Sequence, residues 1–248
     1  MSVTGCRDKM SLRHKIIIFV FAITCTSLLV TIGIFTITTP VPQINNASSA
    51  LVILDGRHSR YIIKYNGTSF GRYTRELDQF ILPYESAENQ SNVIDCFTMI
   101  RNASQVCLFR AKWLDDCERT NAWGYLGRKP CVLLTFEKNS RYEPRPYRSL
   151  DEISPDIPEP LKLTIVHAYK AKLQIVDLAW VYCTGATHYF PMPGIHPVQF
   201  SGKDLPEYLT PMVAVQFQLE NDTLVSTCSL WDRRGKVFQV EILIQNNV

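Results

Sequence analysis

Residues 16–39 read IIIFVFAITCTSLLVTIGIFTITT, a run without a single charged side chain. At about 1.5 Å of rise per residue, a helix of this length reaches about 36 Å, enough to cross a hydrocarbon core of about 30 Å. A cleaved signal peptide has a shorter apolar stretch that ends in a small-residue cleavage site. This run ends in Thr38-Thr39-Pro40. The sequence therefore predicts one uncleaved transmembrane helix over 16–39.

The flanks set its orientation. Arg7, Lys9, Arg13 and Lys15 precede the run, and the next basic residue is Arg57. Positive charge collects on the cytoplasmic side. The expected order is a cytoplasmic tail (1–15), the membrane helix (16–39), an extracellular stalk (40–60) and an extracellular domain (61–248), a type II protein of the plasma membrane. The stalk rests on Pro40, Pro42, the paired Asn and Ser residues, and weak periodicity. Within the membrane run, Ala22, Thr26, Leu29 and Gly33 share one helical face, and small residues there admit a second membrane helix. Cys6 and Cys25 read as free cysteines, the second as a small apolar filler.

The rest of the chain agrees with that topology. Asn46, Asn66, Asn89, Asn102 and Asn221 each begin an Asn-x-Ser/Thr triplet, and all follow the membrane run. Cys96, Cys107, Cys117, Cys131, Cys183 and Cys228 also follow it, where oxidation to disulfides is expected. Six cysteines allow fifteen pairings, which sequence does not resolve. No C-x-x-C pair or H-x(3–5)-H accompanies them, which argues against zinc.

Strand-like patterns dominate the domain. They cover Cys107–Leu114, Cys131–Phe136, Leu173–Tyr182, Met212–Leu219, Thr223–Leu230 and Lys236–Ile244. In the last, Phe238, Val240, Ile242 and Ile244 alternate with Gln239 and Glu241. Met212–Leu219 and Thr223–Leu230 flank Glu220-Asn221-Asp222, which suggests a hairpin. Arg72–Ile81 reads as a short helix. The Pro-rich stretch 143–160 reads as a surface connection. The predicted fold class is a single N-terminal transmembrane helix followed by a mainly-β, immunoglobulin-like, disulfide-bonded ectodomain.

Charge and motifs exclude several function classes. The net charge is +3; setting aside the tail's four basic residues and Asp8 leaves 22 of each sign. Such a balanced domain lacks the footprint of a nucleic-acid binder. No Walker loop, G-x-G-x-x-G, G-x-S-x-G or H-E-x-x-H occurs, and no cofactor is implied. His188 and His196 sit near each other in a Pro-rich region and read as surface residues.

Residues 107–147 read CLFRAKWLDDCERTNAWGYLGRKPCVLLTFEKNSRYEPRPY. Cys107, Phe109, Leu114, Cys117, Trp123, Gly124, Tyr125, Gly127, Pro130 and Cys131 resemble the pattern of the Na+/K+-transporting ATPase β subunit family. PEYLTPMVAVQF (206–217), Tyr182-Cys183-x-Gly185 and Asp232-Arg233-x-Gly235 follow in the family's order. The resemblance implies the pairs Cys96–Cys107, Cys117–Cys131 and Cys183–Cys228. It implies a non-catalytic subunit that assembles with the multi-span catalytic α subunit of a P-type cation ATPase, supporting its folding, membrane delivery and K+ affinity. It also places Tyr208, Leu209 and Pro211 at or beside the α contact. Departures from the pattern are the absence of the usual Phe-Leu-Gly-Arg-Thr-like stretch and Trp in residues 1–15, the absence of Tyr from 16–39, His196-Pro197-Val198-Gln199-Phe200-Ser201-Gly202 in place of an aromatic run, and a short Cys96–Cys107 interval. The alternative readings are a pump-independent cell-surface adhesion or junction glycoprotein of the same fold and, ranked below it, a type II ectoenzyme.

Overall fold

A computed structural model describes residues 46–54, 59–67, 69–171 and 177–247. The expected tail, the membrane run and its face of Ala22, Thr26, Leu29 and Gly33 lie outside the described residues. Among those described, no helix is long and apolar enough to cross a membrane.

Two sheets face each other across one core. The larger sheet contains β1 (Asn46–Ala47), β3 (Arg60–Tyr65), β7 (Ala179–Cys183), β9 (Gly194–Ile195), β11 (Thr223–Asp232) and β12 (Gly235–Asn246), in the order β1-β3-β12-β11-β7-β9. The smaller contains β2 (Leu51–Ile53), β6 (Cys131–Thr135), β8 (Ala186–Phe190) and β10 (Met212–Phe217), in the order β2-β6-β10-β8. A two-stranded pair, β4 (Val93–Ile94) with β5 (Val106–Cys107), stands apart.

The core follows from strand periodicity. Val240, Ile242 and Ile244 on β12 are buried, as are Tyr61, Ile63 and Tyr65 on β3, with Ile242 opposite Tyr61 in register. Every residue of β6 and β10 is buried. Two helices complete the domain. α1 (Gly71–Ala87) buries Tyr73, Leu77, Ile81 and Tyr84 along one face against this core. α2 (Glu159–Lys170) covers the outer face of the larger sheet, where Leu161 and Ile165 join a second buried cluster with Tyr147, Trp180 and Trp231.

The structure corrects several expectations. Residues 46–54 fall within the expected stalk, yet they form β1 and β2, and Ala50, Val52 and Leu54 are almost completely buried. Short strands beside Asn and Ser lack the length that makes periodicity readable. Cys107–Leu114 is not a strand: only Cys107 pairs, and Ala111–Leu114 is a 3-10 turn that buries Leu114. Met212–Phe217 and Thr223–Asp232 do not form a hairpin. β10 pairs with β6 and β8, whereas β11 pairs with β12 and β7, so 218–222 crosses between the sheets. Both directions occur: β1–β3, β3–β12, β2–β6 and β4–β5 are parallel, and the other pairs are antiparallel. The 143–160 connection ends two residues early because Pro160 lies in the first turn of α2, where its missing N–H costs nothing.

Register gives the sandwich two distinct ends. β3, β7 and β12 run towards one end, marked by Tyr65, Cys183 and Asn246; β11 returns to the other, marked by Asp232, Gly235 and Ala179. β8 starts beside the first end and finishes at Phe190 beside the second, next to β9. β1 runs parallel to β3, so its N-terminus faces the Asp232 end. We call that the near end and the Tyr65 end the far end.

Candidate partner interface

The sequence blocks that carry the resemblance are framework. In 107–147, Trp123 is buried and its Nε1 donates to Asp78 Oδ1 on α1 at 2.9 Å. Arg119 Nε donates to the same oxygen at 3.2 Å. Gly124 has φ +75°, and a Cβ there would stand 2.0 Å from the Lys129 carbonyl oxygen, so only glycine fits. Tyr125 follows it into the core, edge-on to Tyr65 at 5.0 Å and stacked on Tyr73 at 6.1 Å. Burial, then the neighbouring Tyr65, Tyr73 and Glu76, pushes its phenol well above the ordinary value. Burial raises the Tyr65 phenol to about 12, with Arg128 opposing. These tyrosines are packing groups rather than acids at neutral pH.

The six cysteines that follow the apolar run 16–39 are bonded as Cys96–Cys107, Cys117–Cys131 and Cys183–Cys228. The last joins β7 to β11 directly across their register. Closing loops of these lengths stabilises by about 2–4 kcal/mol per bridge.

The Asp232 block is a latch. Asp232 is fully buried and accepts from the Arg145 backbone N–H at 3.2 Å, Tyr142 Oη at 3.2 Å and the Arg234 backbone N–H at 2.9 Å. The Arg234 guanidinium pairs with it and lies over the Tyr142 ring at 5.3 Å. Burial acts to raise the Asp232 carboxyl, but the Arg234 and Arg145 hydrogen bonds outweigh it and hold the group below its ordinary value. The latch fixes the Pro-rich connection against the β11–β12 turn.

The block 206–217 is also internal. Tyr208 is 3% exposed and Pro211 is buried, while Leu209 is half-buried. Tyr84 Oη donates to the Thr210 carbonyl at 2.7 Å, and Thr135 Oγ1 donates to the Pro211 carbonyl at 2.9 Å. Burial raises the Tyr208 phenol. Tyr208 and Pro211 therefore offer no free surface in this domain. Asn46, Asn66, Asn89, Asn102 and Asn221 are all exposed. His196 caps a 3-10 turn through Nδ1, which accepts from Val198 N–H at 3.1 Å, while His188 lies on β8 and stacks on Phe190. Burial lowers the His196 pKa, with Asp177 opposing. Among the described residues, no cluster of three His, Cys, Asp or Glu side chains is placed to hold a metal ion.

What sequence reading missed is an apolar surface at the near end. Phe97, Met99 and Ile100 are 47%, 55% and 99% exposed within the Cys96–Cys107 loop. Beside them opens a pocket of about 270 Å³ lined by Phe97, Trp113, Leu178, Met192, His196 and Met212 among others. The signal was present as three apolar residues in a short disulfide-closed loop, but such a loop has no periodicity to read.

A family model described as sodium/potassium ATPase beta chain matches residues 15–235. The chain belongs to this family. Its sodium/potassium-transporting ATPase relatives include subunit beta-2 of Drosophila melanogaster, 24% identical over 212 residues, covering 78% of this chain and 63% of the relative. Subunit beta-1 of the same organism is 27% identical over 188 residues, covering 66% and 59%. Subunit beta-233 of Anguilla anguilla is 28% identical over 119 residues, covering 46% and 38%. The chain thus spans less than two thirds of the length of these relatives and is a divergent member of the family. The match runs through the Trp123-Gly124-Tyr125 turn, the 206–217 block and the Asp232 latch.

Proposed function

We propose that this chain is the non-catalytic β subunit of an Na+/K+ or related P-type ATPase. It pairs with the catalytic α subunit, supports its folding and delivery to the plasma membrane, and tunes its K+ affinity. The observation that carries this reading is the family match across 15–235, which spans the framework elements just described. In this reading residues 16–39 anchor the chain in the lipid with its N-terminus in the cytoplasm, and the sandwich is extracellular. The Ala22, Thr26, Leu29 and Gly33 face packs against a membrane helix of α.

Purification of the full chain from membranes in mild detergent tests the assignment. A large, multi-span, phosphorylatable subunit should accompany it. Glycosidase should lower the chain's apparent mass, and protease added to intact cells should remove the domain. A mature, surface-delivered chain that brings down no such subunit would reject the assignment and favour the adhesion reading.

A further inference from the structure

One imidazole joins two parts of the near end. His196 is the N-cap of the 3-10 turn 197–200: its Nδ1 accepts from Val198 N–H at 3.1 Å, and Gln199 Oε1 accepts in return from His196 N–H at 3.1 Å. Such a reciprocal cap satisfies donors that the start of a helical turn leaves without backbone partners. The same ring meets the Phe97 ring of the 96–107 loop in an edge contact at 5.5 Å. The turn touches that loop a second time, where the Val198 carbonyl stands 3.1 Å from Cys107 Sγ. Its last residue, Phe200, is buried against Phe136 at 5.1 Å and Tyr142 at 5.6 Å. The turn therefore fastens the disulfide loop to the core of the sandwich.

The usual capping residues are Ser, Thr, Asp and Asn, whose oxygens accept throughout the neutral range. An imidazole nitrogen accepts only while the ring is neutral. Its ordinary pKa of about 6.5 lies between the pH of neutral and acidic compartments. Protonation puts a hydrogen on Nδ1 that points at the Val198 N–H, and the cap becomes a repulsive contact. Burial acts in the same direction, because it lowers the pKa of the folded ring. The charged and titratable groups on the elements around His196 are Asp95 and Arg101 at the loop, Lys112 beside Trp113, Asp177 ahead of β7, His188 on β8 and Lys203 after the turn. Asp95 and Arg101 are bonded to the loop's own backbone, and Lys203 to the Ser140 and Tyr142 carbonyls. Asp177 opposes burial without cancelling it. With the folded pKa below the unfolded one, the contribution of the cap is complete well above about pH 6.5 and is lost as pH falls through the folded value.

We propose that His196 is a proton-operated fastener of the 96–107 loop. Neutral, it holds the 197–200 turn and the loop on the domain. Protonated, it releases both, while the sheets stay folded and the Cys96–Cys107 bond keeps the loop closed. The inference goes beyond the subunit reading and does not depend on it.

Hydrogen–deuterium exchange of the full chain in mild detergent tests it, followed by mass spectrometry from about pH 7.5 to about pH 4 and corrected for intrinsic exchange rates. Peptides covering 96–107 and 196–202 should lose protection by at least about fivefold, the change that loss of a capping acceptor gives. The midpoint should fall between the ordinary imidazole value of about 6.5 and the carboxylate range near about 4. Peptides from β10 and β12 should keep their protection over the same range. His196→Asn retains a capping oxygen that does not titrate, so its response should shrink to less than about twofold. His188→Asn leaves the cap intact and should respond as the wild type does. Wild-type protection that does not vary with pH, or a loss centred in the carboxylate range, would overturn the proposal. So would a full response in His196→Asn, or its disappearance in His188→Asn. If His196→Asn is unprotected at every pH because asparagine fails to cap, the wild-type midpoint and the His188→Asn response decide the matter.

Discussion

The two ends of the sandwich solve the problem of chain termination in opposite ways. At the far end, the core is closed from within: Tyr65 and Tyr125 pack edge-on, Asn246 N–H bonds to the Asp222 carbonyl, and Arg128 reaches Asp222 across the rim at 3.1 Å. At the near end, the framework is equally tight beneath the surface, with Asp232 and Thr210 bonded in place, but on one side of it Phe97, Met99 and Ile100 are apolar and exposed. Charged and hydrogen-bonded rims suit an end that faces water. The difference separates residues that the domain packs from apolar residues that it leaves exposed.

The strongest way to break the far end is Gly124→Ala. Its Cβ would overlap the Lys129 carbonyl at 2.0 Å, and its φ of +75° is already unfavourable for alanine. The carbonyl cannot retreat easily, because the Gly124 oxygen itself accepts from Lys129 N–H at 2.9 Å. A loss of at least about 4 kcal/mol is expected, the range that only such backbone conflicts or core defects produce. All four tryptophans lie in the described domain, so unfolding of the full chain in detergent can be followed by their fluorescence. A variant that unfolds like the wild type would show that this turn is not the far-end closure.

At the near end, Asp232→Asn should be the next largest. It keeps the shape but removes the charge that Arg234, Arg145 and Tyr142 share. A loss of about 2–3 kcal/mol at neutral pH follows from leaving these donors poorly matched, which lowers Tm by about 5–10 °C. The pH dependence gives an independent check. The folded carboxyl sits below its ordinary value, so its contribution is complete above the unfolded pKa, about 3.9, and is lost as pH falls through the folded value. The wild type should therefore lose stability below about pH 4 more steeply than the variant. Parallel acid limbs for the two proteins would mean the latch is not electrostatic.

The same contrast explains what was legible in the sequence. Framework is legible where its periodicity is long: β10, β11 and β12 were expected within a few residues of their observed bounds, and the α1 face of Tyr73, Leu77 and Ile81 follows helical spacing. Continuation of α1 past Ile81 was hidden by Pro83, which is tolerated on its exposed side. β3 alternates cleanly as Tyr61-Ile63-Tyr65, but it lies at the border of a stretch dominated by loop residues. The partner of a strand is less legible than the strand itself. Nothing in Glu220-Asn221-Asp222 distinguishes a hairpin from a crossing between sheets, because both join two apolar strands through a short polar turn. The exposed apolar loop was the least legible part. Tyr208, which the resemblance places at or beside the α contact, is buried in a structural block, whereas the exposed Phe97, Met99 and Ile100 lie in a short loop where pattern carries no information.

The smallest expected effect sharpens the comparison most. Asp222→Ala removes the far-end pair with Arg128, whose side chains are 62% and 43% exposed. Water replaces the lost partner, so stability should change by no more than about 0.5 kcal/mol, and less in high salt. The triplet Asn221-x-Thr223 survives the substitution, so any glycan there is retained. Tryptophan-monitored unfolding of the variant and of the wild type should therefore coincide within that margin. If Asp222→Ala instead costs as much as Asp232→Asn, charge secures the far-end rim as firmly as it secures the near-end latch, and the contrast between a solvated rim and a buried latch fails.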